Sequence, residues 1–245
     1  MPSLPQPRKT SDAQERLLTT PIVKPVQLLV EGGNDLALVQ AMLAEPAAAA
    51  AFARIQVHAC GGKQSIKAML DTLATLLPDT PAAKVVVLRD ADANVELAQA
   101  ECIGYFRDSS YPFPGMAPPQ DWPMPLNYLQ DISTEWLLIP GQGHAGTLET
   151  LVLAALAGDP GVALASTMLS ACIAARGGQA ARWPGPKAEK HGVVNAMMAE
   201  KAQLQAFLAA FARKGYRLPS SAFEEGVLDV LHPAFAGIRQ QVLAL

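Results

Sequence analysis

Five acidic residues stand where an apolar run ends or a helix begins: Glu31, Asp35, Asp90, Asp92 and Glu149. Glu31 follows Val26-Gln-Leu-Leu-Val30, Asp90 and Asp92 follow Lys84-Val-Val-Val-Leu88, and Glu149 lies beyond Glu135-Trp-Leu-Leu-Ile139. Carboxylates gathered within a few Å repel, and some must take up protons unless a cation intervenes. Hard oxygen donors with room for water suit Mg2+ or Mn2+. An ion held this way orients phosphate oxygens, polarises phosphorus and lowers the pKa of a bound water. Asp90-x-Asp92 suits that role if extended, because alternate residues of a strand share a face.

Each residue also has a plainer role. Glu31 is placed like an ordinary helix-entry residue, Asp35 like an N-cap, and Glu149 like an acid favoured in a first helical turn by the helix dipole. Lys63 follows Gly61-Gly62, where exposed backbone N–H groups and an ammonium suit a phosphate; it also reads as a surface lysine at a helix start. His144, in a Gly-rich loop, is placed either to assist a leaving group or simply to face water. Arg89 either neutralises the acids or faces outward.

These side chains must be carried by repeated strand–helix pairs. The strand signals are 26–30, 54–58, 84–88 and 135–139. Helical patterns cover 36–44, capped by Asn34 or Asp35, then 64–77, 95–106 and 148–157, with Thr147 capping the last. Alternation of this kind predicts an α/β fold, a mostly parallel four-stranded sheet flanked by helices. Right-handed crossovers then bring the strand ends, and the acids on them, to one edge, where open α/β sheets bind ligands. Residues 108–130, rich in Pro, Gly and Ser and carrying Tyr111, Trp122 and Tyr128, read as a long connection with room for a short hairpin. From Gly161 the pattern is mainly helical: 162–175, 188–212 and 234–244. No repeat of fixed period is present. The expected divisions are a flexible lead-in over 1–23, a catalytic or metal-binding domain over 24–157, and a helical C-terminal extension over 158–245.

Composition narrows the class. With 245 residues, 50% hydrophobic and 17% charged, the chain carries enough apolar surface for a core and is not disordered. Cys60, Cys102 and Cys172 are widely spaced, which excludes a disulfide framework and a zinc ribbon and points to a reducing compartment. The first sixteen residues lack the apolar stretch of a signal peptide. The apolar region from Leu151 to Ala175 is interrupted by Gly158-Asp-Pro-Gly161, so neither half approaches the roughly 20 residues a spanning helix needs. The expectation is a cytoplasmic protein with no membrane contact. Charge is uneven: from Arg176 to Arg217 eight basic residues face two acidic ones, a net +6, leaving −9 on the rest against −3 overall. A basic stretch beside an acidic body suits a polyanion, though it also describes a solvated helical face.

Taken together, Val30-Glu31-Gly-Gly-Asn-Asp35 and Asp90-Ala-Asp92-Ala-Asn94 resemble the Toprim domain of topoisomerases, DnaG-type primases, small RNase-maturation nucleases and OLD-family nucleases. That family places a Glu after the first strand and an Asp-x-Asp after the third. Adding Gly61-Gly62-Lys63, Ile139-Pro140 and Gly146-Thr-Leu-Glu149 brings the pattern close to a group of small bacterial Toprim-like proteins, over residues 24–157. The resemblance implies metal-bound carboxylates and phosphoryl transfer on a nucleic-acid backbone. Glu31 would act as ligand or general acid/base, Asp90 and Asp92 would hold Mg2+ or Mn2+, and Asp35 and Glu149 would complete a second metal site, as in OLD-type nucleases. A downstream lysine of those nucleases would correspond to Lys187 or Lys190, joining Lys63 in binding substrate. The chain departs from the pattern at Asn94, where many topoisomerase-like members carry a third acid; a carbonyl oxygen remains but one charge is lost.

Other readings fit less well. A dinucleotide-binding loop needs G-x-G-x-x-G, which Glu31-Gly-Gly-Asn lacks. A receiver domain needs a lone acceptor Asp after its third strand. A haloacid-dehalogenase-like phosphatase carries its Asp-x-Asp after the first. The function that the Toprim resemblance implies is a Mg-dependent nuclease. The alternative is a non-catalytic module binding a metal and a nucleic acid or nucleotide within a defence or repair complex. The expected partner is DNA or RNA, with a homodimer or a partner protein left open.

Overall fold

The computed structural model describes residues 12–109, 132–141, 143–175, 196–211 and 219–245. One parallel sheet organises them, in the order β2-β1-β3-β4, from β1 (Val26–Val30), β2 (Ile55–Ala59), β3 (Lys84–Asp90) and β4 (Ser133–Ile139). All five residues of β1 and the central five of β3 are buried, the pattern of strands covered on both faces. The helices are α1 (Asp12–Thr19), α2 (Gly33–Ala44), α3 (Ala49–Arg54), α4 (Ile66–Leu76), α5 (Val95–Arg107), α6 (Leu148–Ala155), α7 (Pro160–Ala175), α8 (Ala196–Phe211), α9 (Pro219–Glu224) and α10 (Ala236–Leu243). The fold is α/β and Rossmann-like, with a helical C-terminal part.

Side-chain alternation sorts the strands between two cores. Leu28 and Val30, Val86 and Leu88, and Leu137 and Ile139 share one core with Leu38 of α2, Val152 of α6, Leu208 of α8 and Ile238 of α10. Leu29, Val85, Val87 and Leu138 share the other with Leu17 of α1, Leu70 and Leu73 of α4 and Phe106 of α5. The helices after residue 157 belong to the first core: Ala165, Leu204, Phe223 and Val242 are buried there. The described helices of the C-terminal extension are thus joined to the core on that face of the sheet. The chain leaves β1 toward β2 on one side and returns to β3 on the other, which makes the β1/β3 edge the switch point at which open α/β sheets bind ligands.

Several boundaries differ from the sequence reading. β3 runs on through Arg89 to Asp90, because the ladder to β4 continues to Asp90 and Ile139. β4 starts at Ser133, and β2 is shifted by one residue. α2 begins at Gly33 with Gly32 as its N-cap, not at Leu36 under Asn34 or Asp35. A 3-10 turn at Lys63–Ser65 precedes α4. α3 and α9 were not anticipated. The lead-in is not loose over residues 12–19: α1 inserts Leu17, 1% exposed, into the second core. Gln14 Nε2 donates to Thr72 Oγ1 of α4 at 3.2 Å, fixing the same contact. The expected connection over 108–130 lies outside the described residues beyond Ser109. Cys60 and Cys102 are buried and free, and burial pushes both thiols up to about 12. No single helix among the described residues is long and apolar enough to cross a membrane; α2 with Pro46–Arg54 has the composition but bends by 91°.

Candidate functional site

Glu31 is fixed by its own backbone. Its N–H donates to Leu88 O of β3 at 3.2 Å, and its carbonyl accepts from Gly62 N–H at 2.8 Å. It therefore caps the β1/β3 edge and anchors the loop after β2. That loop turns through Gly61 (φ +81°) and Gly62 (φ +125°), conformations that favour glycine. Four residues on, Asp35 turns back and accepts the Gly32 N–H at 2.8 Å, so it satisfies the start of α2 from its third position.

Asp90 reaches the other way. Its Oδ1 accepts the Leu148 N–H at 2.9 Å, at the N-terminus of α6. Ala91 N–H donates to Ile139 O at 2.8 Å, and Gly146 N–H to Asp92 O at 2.8 Å, so the loops after β3 and β4 are stitched together. Gly146 is required there: at φ +140° a Cβ would lie 2.9 Å from Thr150 Oγ1. Thr147 N–H donates to that hydroxyl at 3.0 Å and opens α6, which places Glu149 in the first turn.

The charges that act most on Asp90 are Asp35, Glu31 and Glu149. Burial, reinforced by these like charges, pushes Asp90 up to about 8. Burial, reinforced by Glu31 and Glu149, pushes Asp35 up to about 7. Glu31 is also raised, by burial first and by Asp92, with Arg89, Lys201 and Lys63 opposing. Its Oε2 is buried and has no hydrogen-bond partner. Glu31, Asp35, Asp90 and Glu149 are therefore electrostatically one group at the edge of the sheet.

Asp92 acts on Glu31 through its charge but is drawn aside into ion pairs of its own. The expected shared face of Asp90 and Asp92 fails because Asp92 leaves the extended conformation, at φ +55°. Its Oδ2 accepts from Arg89 Nη2 at 2.8 Å and lies 3.6 Å from Lys63 Nζ. Arg89 itself does not face outward. It continues the Val85–Val87 face of β3 and is 0% exposed. Its Nε donates to Asp90 O at 2.9 Å and its Nη1 pairs with Glu101 of α5. Lys63, expected to be free for substrate, lies 2.6 Å from Glu101 Oε2. Asn94 is spent on α5: its Oδ1 accepts the Leu97 N–H at 2.8 Å, so it is not turned to the acids. His144 is exposed on its loop. Lys187 and Lys190 lie outside the described residues.

Three residues around the site escaped the sequence reading. Lys201 of α8 approaches Glu149 Oε2 at 3.8 Å, and next to it Glu200 accepts the Thr150 hydroxyl at 2.7 Å. Nothing local in α8 marks Lys201. Glu101 had a signal: an arginine that alternation turns into a core needs a carboxylate partner, and α5 is the element that covers that face.

The donor chemistry of the four-acid group, all hard carboxylate oxygens with one buried and unpartnered, suits Mg2+ or Mn2+. As the side chains stand, no three His, Cys, Asp or Glu among the described residues close on a common ion. The helix-flanked parallel sheet with acids at its β1/β3 edge defines an α/β protein of the Rossmann-like class. The chain belongs to the family described as Protein of unknown function (DUF3226), which matches residues 25–240 and so spans both the sheet and the C-terminal helices. No curated protein and no solved structure matches the chain.

Proposed function

We propose that this protein is a Mg2+- or Mn2+-dependent phosphoryl-transfer enzyme of the Toprim type, a nuclease that hydrolyses a nucleic-acid phosphodiester at the β1/β3 edge. The observation that carries the reading is Glu31 Oε2, buried without a partner beside two acids that burial keeps from ionising fully at neutral pH. Desolvated carboxylates with a vacant oxygen are stabilised most by a divalent cation. Glu31, Asp35, Asp90 and Glu149 would hold the ion, which supplies Lewis acidity and a water of lowered pKa when bound. Asp92 is withdrawn from the ligand set expected earlier, because Arg89 and Lys63 already neutralise it.

The chain's own groups have separable tasks. Glu31, whose pKa burial raises, would serve either as a ligand of the ion or, left free of it, as the group that accepts and returns a proton. The N-terminus of α6 presents the Leu148 N–H to Asp90, holding that carboxyl in place. Lys201 stands beside Glu149 where an ammonium offsets negative charge building on a phosphate.

A second reading, a non-catalytic module that binds a metal and a nucleic acid or nucleotide, is favoured by one observation: the Asp92 carboxylate is committed to Arg89. Labelled single- and double-stranded DNA and RNA, incubated with the purified protein and Mg2+ or Mn2+, separate the two. The nuclease reading expects cleavage that Glu31→Gln and Asp90→Ala each reduce by about 100-fold or more while substrate binding persists. Metal-dependent binding with no product from any substrate would establish the second reading instead.

A further inference from the structure

Arg89 and Lys63 share their counter-ions in an unusual way. Glu101 Oε2 sits 2.6 Å from Lys63 Nζ and also accepts from Arg89 Nη1. Asp92 Oδ2 sits 2.8 Å from Arg89 Nη2 and 3.6 Å from Lys63 Nζ. Two oxygens from two different side chains thus lie between the same two cations. Tyr105 OH, 3.5 Å from Arg89 Nη1, closes the far side. The anionic partners are unequal to the guanidinium they cover. Arg89 is 0% exposed, whereas the Glu101 and Asp92 side chains are 30% and 39% exposed and can swing into water. Lys63 is itself 37% exposed and follows the Gly61-Gly62 turn. Arg89 Nε is tied to Asp90 O, so the guanidinium is fixed against the strand that carries the acidic group.

We propose that Arg89 and Lys63 form an oxyanion-binding subsite for a backbone phosphate of a nucleic-acid strand, and that Glu101 occupies it in place of that phosphate until substrate displaces it. The proposal deepens the nuclease reading, since it supplies a binding position next to the acidic edge, but the subsite itself needs no metal. A planar guanidinium with an ammonium beside it matches two phosphate oxygens as well as it matches two carboxylate oxygens. Glu101 is then a positioning residue: it holds the two cations together and competes with the strand for them.

The test uses the full chain in EDTA, so that nothing depends on the acidic group, and reads the anisotropy of a short fluorescein-labelled single-stranded DNA. Glu101→Gln removes the competing charge and is expected to bind the strand about fivefold tighter. Lys63→Gln, at an exposed position, is expected to bind it about fivefold more weakly, and the double variant to lose the gain. Inorganic pyrophosphate is expected to displace the strand from Glu101→Gln. If Glu101→Gln binds no tighter than the parent, or pyrophosphate fails to compete, the subsite does not exist and Glu101 is only a structural partner of Arg89. Should Glu101→Gln fail to fold, unchanged binding by Lys63→Gln overturns the proposal on its own. A metal titration on the same variants keeps the two ideas apart: tighter binding by Glu101→Gln without any Mg2+ effect would sink the nuclease reading and leave the phosphate subsite standing.

Discussion

Arg89 Nη2 holds Asp92 Oδ2 at 2.8 Å, and in doing so separates Asp92 from Asp90, two residues away in the chain. The two acids face different layers of the fold. Asp90 follows Leu88 toward α2 and α6, while Arg89 follows Val87 toward α5 and takes Asp92 with it.

The separation makes the two aspartates unequal toward a metal. Asp90→Asn is expected to weaken Mg2+ or Mn2+ binding by roughly tenfold or more, because it removes a carboxylate donor that can ionise against the metal from the group that includes Glu31, Asp35 and Glu149. Asp92→Asn is expected to leave binding within about threefold of the parent, the partly exposed ion pair it breaks being worth little. Isothermal titration with either ion measures both. Equal losses in the two variants would return Asp92 to the ligand set.

How far the sequence could be read follows from where its information lies. β1 and β3 were legible because short β-rich apolar runs, Val85–Leu88 above all, mark strands covered on both sides, and the acids at their ends were legible as strand-end residues. The conformation of Asp92 was not: an Asp-x-Asp pattern gives no sign that its second residue will adopt φ +55° and pair with Gly146. Lys201 depends on α8 crossing over α6, a tertiary relation that no local pattern encodes. α1 was obscured by its Pro-rich approach and its length of 8 residues, so that the single inserted Leu17 carried the whole signal. The strand-end reading singled out Glu31, Asp35, Asp90 and Glu149, whose charges act on one another in the fold; it also singled out Asp92, which the fold pairs with Arg89.

Leu17 offers a direct check on the packing of α1. Its side chain is 1% exposed among Ile66, Leu70 and their neighbours. Leu17→Ala is expected to cost about 2–3 kcal/mol, the low end for a buried leucine because a terminal helix can relax around the cavity. Urea denaturation measures the loss. A change within about 0.5 kcal/mol, the range of surface substitutions, would mean that α1 contributes no core.

Gly146 joins the two loops that shape the site. Gly146→Ala is expected to destabilise the protein by about 1–3 kcal/mol, from backbone strain at φ +140° and from a Cβ placed 2.9 Å from Thr150 Oγ1. Combining it with Thr150→Ser, which keeps both the Oγ1 and the Cβ that crowd the added methyl, is expected to recover little of the loss. A melting curve of Gly146→Ala that overlays the parent would show that the Asp92–Gly146 bridge leaves room the contacts do not suggest.

The acidic group also predicts how stability responds to pH. Asp35 and Asp90 are raised from their ordinary 3.8 to about 7 and about 8 in the folded chain. Between those limits the folded protein binds more protons than the unfolded one, so stability falls as pH rises. The contribution of these two groups is complete below pH about 4 and is lost as pH passes through about 7 and about 8. In EDTA, the Tm is therefore expected to drop by several degrees between pH 6 and pH 9, and Asp90→Asn, which has no proton to lose there, is expected to flatten the profile. Mg2+ acts in the opposite sense, because it competes with those protons for the same oxygens. Its stabilising effect is expected to grow with pH across the same window, and to be small below pH 6. Differential scanning calorimetry with and without the ion measures both trends. A Mg2+ effect that is independent of pH, or largest in acid, would place the ion somewhere other than on Asp35 and Asp90.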